Sequence, residues 1–209
     1  MRIYKMNKTQ IMDLTSGHPI RQIFSFSIPL VLGTLFQQLY SFADTVIVGR
    51  CLGVDALAAV GTTYSLNFLI LGFVQGLTVG FGIQLAQSFG AHNREELNLY
   101  LANGAFLSFI ISMVLAAVTI LTARPLLILI RTPDNILPLA VEYVRIIFLG
   151  IPASMLYNYS ASALRAVGDS RHPFYFLLFS SILNIALDYL FIVPLSMGIG
   201  GAAWATILS

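Results

Sequence analysis

The chain has 209 residues, of which 57% are hydrophobic and only 10% are charged, and its mean hydropathy is +0.85. Soluble domains average about 25% charged residues, so this shortage excludes an ordinary soluble protein and indicates a polytopic membrane protein. The formal net charge is only +2 and the basic residues are scattered singly, which gives no argument for a nucleic-acid partner.

The sequence also lacks the usual signatures of enzymes and of resident cofactors. Its single cysteine, Cys51, cannot form an intramolecular disulfide. No CxxC or HExxH motif, phosphate loop or nucleophile–base pair is present. We therefore predict a protein that is not an enzyme and binds no cofactor, with membrane lipid as its surroundings.

Six apolar segments follow a polar amino terminus, residues 1–19, which lacks the apolar core and cleavage site of a secretory signal. They predict an all-α transmembrane bundle with helices at about 20–49, 56–89, 100–123, 136–164, 173–193 and 199–209. A span needs about 20 residues, so the sixth helix is incomplete, and we expect this chain to be the front portion of a longer protein.

Two local features qualify these helices. Pro152 lies in the middle of the fourth segment and predicts a kink there. Gly72, Gly76 and Gly80 recur at a spacing of four in the second segment, which predicts a face for close helix packing.

The distribution of Lys and Arg predicts the orientation. Seven of these residues lie in the amino terminus and the even-numbered loops, against three in the odd-numbered loops. Because basic loops stay in the cytoplasm, we predict a multi-pass protein of the plasma (inner) membrane with residues 1–19 cytoplasmic.

Polar side chains within the spans are the strongest functional signal. Asp44 and Asp188 each lie about five residues before the predicted outer end of a helix, Asn184 precedes Asp188 by one turn, and Thr206 lies about seven residues into the sixth segment. At about 1.5 Å rise per residue, the four groups fall at one depth, roughly 7–13 Å from the outer ends. A bare Asp at mid-membrane costs at least about 2.5 kcal/mol.

Two interpretations of this set are open. Two carboxylates that are close together in a low dielectric cannot both stay ionised cheaply, so they would take up a proton or a monovalent cation. The Asn carbonyl and the Thr hydroxyl would add hard oxygen ligands that suit Na⁺, at Asp44, Asn184, Asp188 and Thr206. Alternatively, each acid is only hydrogen-bonded to a neighbouring helix.

Four further polar residues are candidates for the lining of a cavity. Gln37 and Tyr40 share a helix face with Asp44, at seven and four residues before it, and Tyr157 and Asn158 lie in the second half of the fourth segment.

Several stretches together resemble the MATE (multidrug and toxic compound extrusion) transporters. They are Pro29…Gln37-Gln38-Leu39-Tyr40…Ala43-Asp44-Thr45…Val48-Gly49, Leu52-Gly53…Ala56-Leu57-Ala58-Ala59-Val60-Gly61, Gln84-Leu85-Ala86-Gln87…Gly90-Ala91, Leu164-Arg165-Ala166-Val167-Gly168-Asp169…Pro173, Asn184…Asp188-Tyr189 and Gly200-Gly201-Ala202-Ala203…Ala205-Thr206. The resemblance runs from about Leu14 to Ser209.

The resemblance implies a twelve-helix fold of two six-helix lobes, of which residues 20–209 would be the amino-terminal lobe with its sixth helix truncated and the carboxy-terminal lobe missing from this chain. It also implies export of cationic or amphipathic drugs driven by Na⁺ or H⁺. In many members the amino-terminal lobe carries the cation site, and Asp44, Asn184, Asp188 and Thr206 fall on its ligand positions. In this family a bend of the first helix on protonation is proposed, and Pro29 is the matching proline.

The leading hypothesis is a cation-coupled multidrug efflux antiporter, present as an amino-terminal half. The alternatives are a relative that flips lipid-linked oligosaccharides, for which a more basic cavity is expected, and a truncated product without function. Two intramembrane acids against a single base, Arg145, favour cationic cargo.

Overall fold

The computed structural model describes residues 19–209, so the predicted amino-terminal segment lies outside the described residues except for Pro19. The regular elements of this part are seven α-helices: α1 (Pro19–Cys51), α2 (Val54–Gly90), α3 (Arg94–Leu129), α4 (Leu137–Leu149), α5 (Ile151–Ala166), α6 (Arg171–Ile192) and α7 (Gly198–Leu208).

The helices have the length and composition of membrane spans. Within the described residues, α1, α2, α3 and α6 are each long and apolar enough to cross a bilayer, and α4 with α5 forms a fifth span if the bent pair is counted as one. The predicted all-α transmembrane bundle is thereby confirmed.

The fourth predicted helix is broken into two. α4 and α5 meet at Gly150 with a bend of 46°. Pro152 lies in the first turn of α5. The backbone N–H groups of a first turn have no acceptor within the helix, so proline, which lacks an N–H, is tolerated there. Gly150 lies against the Ile207 side chain of α7 so closely that a Cβ would collide with it. The predicted kink is therefore confirmed, and the chain turns at the glycine rather than at the proline.

Small residues line much of the contact faces of two helices, α3 and α7. On α3 the buried positions Gly104, Ser108, Ser112 and Ala116 recur every fourth residue, and α7 buries the run 199–203. In lipid there is little hydrophobic gain from bringing two helices together, so close backbone approach over small side chains stabilises the bundle. Large apolar side chains such as Phe106, Phe109 and Leu121 point outward, towards the lipid.

One tyrosine ties three helices together. Tyr159 of α5 donates its hydroxyl proton to the Leu101 carbonyl of α3 at 2.8 Å, and its ring lies over Gly104. The same ring packs edge-on against Phe81 of α2, with centroids 6.2 Å apart. Because the phenol finds a partner, the polar atom carries little desolvation cost inside the bundle.

α1 is the least enclosed of the spans. It packs mainly against α6, with Gly33 close to Phe174 and Leu177, and it has few contacts with α2 and α7. Only 6% of its most apolar window is buried, against 22–28% for the other three single spans. The helix ends at Cys51, whose side chain is exposed.

The predicted packing face on α2 has no neighbour in this part of the chain. A Cβ placed on Gly72, Gly76 or Gly80 would meet no atom of residues 19–209 within 4 Å, whereas a Cβ on Gly82 would collide with Ser162. The predicted close helix packing of this glycine series is therefore not seen among the described residues. Close approach depends on which face of α2 meets α5, and that face carries Gly82.

Candidate functional site

Two buried carboxyl groups lie on the packed pair of helices α1 and α6. Asp44 of α1 is 9% exposed and Asp188 of α6 is fully buried. Each helix turns its acid towards the other because the remaining faces carry large apolar residues, such as Phe42 on α1 and Tyr189 on α6. The two carboxyl groups are within electrostatic range of each other.

The buried face of α6 explains why Asn184 accompanies Asp188. This face consists of Pro173, Ser181, Asn184, Asp188 and Ile192, at helical spacings of three, four and eight. Asn184 is 1% exposed. Two successive turns of α6 therefore present an amide and a carboxyl group to the interior.

Five buried polar atoms of these three side chains have no hydrogen-bond partner among the described residues. They are Asp44 Oδ1, both oxygens of Asp188, and both the Oδ1 and Nδ2 atoms of Asn184. A buried polar atom without a partner costs about 1–3 kcal/mol, and more if it is charged. Among the described residues, these atoms therefore make no hydrogen bond to a neighbouring helix, which is the contact that the alternative interpretation expects. The oxygen atoms among them can accept a cation or a proton, whereas the Asn184 Nδ2 amide can only donate.

Thr206, the fourth residue of the predicted cation site, lies on α7. It is half-buried on α7, which packs against α6, and its hydroxyl donates to the Ala202 carbonyl one turn earlier at 3.0 Å. Among the described residues the hydroxyl makes no hydrogen bond to either acid or to Asn184. Its oxygen lone pairs are still available for a cation, since the internal bond uses only the proton.

Tyr143 is a further residue of this region that sequence reasoning missed. It lies on α4, is 6% exposed, and is within electrostatic range of Asp44, Asp188 and Tyr40. A phenol can donate a hydrogen bond to a carboxylate. In the sequence, Tyr143 is one aromatic residue in an apolar segment, and nothing in that pattern separates it from the core.

The residues predicted to line a cavity divide into two groups. Gln37 and Tyr40 of α1 are half-buried and interact with each other. Tyr40 is also within electrostatic range of Asp44 and Asp188. Tyr157 of α5 is 38% exposed and is in range of Tyr40. The Asn158 amide donates to the Ser154 carbonyl of its own helix at 2.8 Å, so part of its hydrogen-bonding capacity is already used.

The donor set determines the chemistry. It consists of carboxylate, amide and hydroxyl oxygens without thiolate or imidazole, which suits a hard cation or a proton rather than a transition metal. In residues 19–209 no group of three or more His, Cys, Asp or Glu side chains forms a metal-binding cluster. The arrangement can therefore hold one monovalent cation or exchange protons at two coupled acids.

The chain is similar to known proteins over most of its length. The MatE family model matches residues 29–190. "Probable multidrug resistance protein YoeA" and "Probable multidrug resistance protein YpnP" of Bacillus subtilis are each 35% identical to the chain, over 90% and 94% of it respectively. The "FAD transporter" of Shewanella oneidensis is 29% identical over 90% of the chain.

Solved structures match as well. A crystal structure of MATE in complex with MaD5 has a TM-score of 0.88 and 31% identity and covers 98% of the chain. A MOP superfamily transporter from Pyrococcus furiosus, described as having a binding pocket of reverse polarity, has a TM-score of 0.86 over 92% of the chain. The chain spans 42–46% of the length of these relatives and structures.

Proposed function

Because this chain belongs to the MATE family and is a multi-pass membrane protein, we propose that it is the ion-binding lobe of a cation-coupled efflux antiporter. In this proposal, cationic or amphipathic small molecules leave the cell in exchange for Na⁺ or H⁺. The observation that carries it is the set of unpartnered buried atoms on Asp44, Asn184 and Asp188. The names of YoeA and YpnP, both multidrug resistance proteins, support the same class of cargo.

The site couples ion and drug through the position of α1. When Asp44 and Asp188 are both ionised, their repulsion disfavours close packing of α1 on α6. A bound Na⁺ or proton removes that repulsion and favours the state in which the two helices are tightly packed. A drug that binds better to the other state is then released when the ion binds, because each ligand shifts the same equilibrium in opposite directions.

Substitution of each acid tests the ion site on the chain itself. We expect added Na⁺, against choline at equal ionic strength, to raise the Tm of the purified chain, because a ligand that binds only the folded state stabilises it. Asp44→Asn and Asp188→Asn should each lose this rise. Asp134→Asn, at an exposed loop position, is the matched control and should keep it.

The same samples also test whether the site binds protons instead of Na⁺. Proton coupling predicts no response to Na⁺ and instead proton uptake when the pH of an unbuffered sample is lowered, reduced in both Asn variants. If the Na⁺ response and the proton uptake are both unchanged in Asp44→Asn and Asp188→Asn, the ion-site proposal is wrong. Ethidium or norfloxacin efflux from cells that express the chain tests transport separately.

A second candidate function is export of an anionic cargo. One relative is an FAD transporter, and FAD carries phosphate groups. Arg165 on the last turn of α5 is half-buried, lies in range of Tyr157, and is in no salt bridge within the described residues. Flippase-type transport of lipid-linked oligosaccharides would need several basic groups in the interior. Arg145 is exposed, so of these two arginines only Arg165 is partly buried. Inhibition of ethidium efflux by excess FAD, lost in Arg165→Gln, would favour the anionic cargo.

A further inference from the structure

Gly150 lies where α4, α5 and α7 meet. Its φ of −77° and ψ of −6° are open to any residue, so the backbone does not require a glycine there. The packing does, because Gly150 is buried and a Cβ on it would collide with Cγ2 of Ile207 on α7 and lie 2.9 Å from Cβ of the same side chain. The missing side chain therefore lets α7 approach the break between α4 and α5.

A second contact with α4 holds the beginning of α7. A Cβ on Gly200 would lie 2.6 Å from Oε1 of Glu142, so this carboxylate lies over the first turn of α7. A negative charge is favourable at that end of a helix. Gly200 and Ile207 are seven residues apart and therefore share one face of α7. α4 and the break that follows it thus contact α7 along a single face, at two levels.

Thr206 lies on a neighbouring face of the same helix. Ile199, Ala202 and Ala203 precede it by seven, four and three residues, and all three are buried. This face is therefore directed into the bundle. It is about 100° around the helix from Ile207, the next residue in the chain. A displacement of α7 at Ile207 consequently also displaces the Thr206 hydroxyl.

The packing of α7 on α6 sets the level of that hydroxyl. The two helices are joined by a short connection and pack against each other, so they run antiparallel. The Ser180 hydroxyl of α6 donates to the Ser209 carbonyl at 2.6 Å. Asn184 follows Ser180 by about one turn, and Thr206 precedes Ser209 by about one turn. Thr206 and Asn184 therefore lie at the same level of the bundle.

We propose that Gly150 is a positioning residue of the ion site. By lacking a side chain, it places α7 where the Thr206 oxygen joins the oxygens of Asn184 and the two acids as a ligand of Na⁺. This inference rests on the proposed function, and it adds the residue that sets the position of the fourth ligand.

A methyl group on Gly150 would move α7. Ile207 cannot turn its Cγ2 atom away, because a β-branched side chain in a helix is held in one strongly preferred rotamer. Carbon atoms need a separation of about 3.5 Å, so α7 would have to shift by roughly 1 Å. Ligands of a site must keep their places within about 0.5 Å. The shift therefore removes the Thr206 oxygen from the cation.

A Na⁺ titration of the purified chain, followed by its Tm, tests this role. We expect Gly150→Ala to raise the half-saturating Na⁺ concentration about tenfold, the size of effect usual for groups that orient metal ligands. Gly104→Ala is the matched control. A Cβ there would lie 2.7 Å from the Tyr159 hydroxyl, in a contact between α3 and α5. It should lower the Tm and leave the half-saturating concentration unchanged.

Two double variants separate positioning from a general loss of packing. Thr206→Val removes the hydroxyl and keeps the shape of the side chain. Adding Gly150→Ala to it should weaken Na⁺ binding no further, because residues that act through one contact are not additive. The exchange Gly150→Ala with Ile207→Gly makes room on α7 for the new methyl group and should restore most of the lost affinity.

The outcomes distinguish this role from the proposed function. An unchanged Na⁺ response in Gly150→Ala, an equal loss in Gly104→Ala, or an additive loss in the Thr206→Val background would overturn the positioning role alone. So would a wild-type chain that takes up protons without responding to Na⁺, since a proton needs no fourth oxygen. If Gly150→Ala does not fold, a folded exchange variant with the wild-type response supports the role. An exchange variant that does not fold or does not respond overturns it. A wild-type chain that responds to neither ion refutes the proposed function, and this role with it.

Discussion

Asp169 holds the turn that leads into α6. Its side chain is fully buried, and Oδ1 accepts hydrogen bonds from the backbone N–H groups of Arg171 and His172, each at 3.1 Å. Oδ2 pairs with Nδ1 of His172. Gly168 before it has a φ of +86°, which favours glycine. One carboxylate therefore satisfies the first N–H groups of the helix that carries Asn184 and Asp188.

Removal of this cap should destabilise the protein. We expect Asp169→Ala to lower the free energy of unfolding by about 1–2 kcal/mol, because it leaves two N–H donors without a partner at the start of α6. Denaturant unfolding in detergent micelles measures the change. Asp134→Ala, which removes an exposed acid, should have almost no effect, and an equal loss in both variants would contradict the capping role.

The sequence is informative about single residues only where the chemistry is unusual. Asp44 and Asp188 are conspicuous because acids are rare in apolar helices, and counting residues from the helix ends gave them equal depth. Tyr143 is not conspicuous, since tyrosine is common in helices at membrane level. Its position near both acids depends on how α4 is oriented relative to α5 across the break at Gly150, and no local pattern encodes that orientation.

At the scale of single helices, glycine spacing predicts a surface but not its partner. Gly76 and Gly82 are six residues apart on one helix; the first meets nothing, and the second is pressed against Ser162. This difference depends on which side of α2 faces α5, which is set by the tertiary packing and not by the local sequence. The break between α4 and α5 was partly predictable, because Pro152 marks its neighbourhood, while the turn itself lies where Gly150 lets α7 come close.

A pair of glycine substitutions measures this difference. Gly104→Ala would put a methyl group 2.7 Å from the Tyr159 hydroxyl and 2.9 Å from a ring carbon, so Tyr159 must move away from the Leu101 carbonyl. We expect a loss of about 1–3 kcal/mol in the free energy of unfolding. Gly76→Ala meets no atom of the described chain and should be neutral or stabilising by up to about 1 kcal/mol. Thermal unfolding measures the stability of both variants. Equal stability of Gly104→Ala and Gly76→Ala would contradict the close contact between Gly104 and Tyr159.

At the scale of the whole molecule, the bundle has a well-packed part and a loosely attached helix. α2, α3, α4 and α5 form the closely packed part, α7 packs against α4 and α6, and α1 depends mainly on α6. The charge shortage and the lengths of the apolar segments were enough to predict the bundle. They could not predict the uneven packing, since α1, like α2, α3 and α6, is long and apolar enough to cross a bilayer.

The loose attachment of α1 should be visible in hydrogen exchange. Few buried contacts mean a low free energy of local opening, so we expect amides of α1 to exchange faster than those of α3. Under the proposed function, the coupling cation should slow exchange in α1 and α6 and leave α3 unchanged, and Asp188→Asn should abolish that slowing. Uniform protection of all helices, or none in the wild-type chain, would contradict an ion site between α1 and α6.

The position of Cys51 has a practical consequence for observing this helix. It is the only thiol in the sequence, it is exposed, and it follows Asp44 by two turns on the same helix. A maleimide fluorophore or spin label will therefore attach at a single place without any engineered background. The native chain thus carries a spectroscopic reporter on the helix that bears one of its two buried acids.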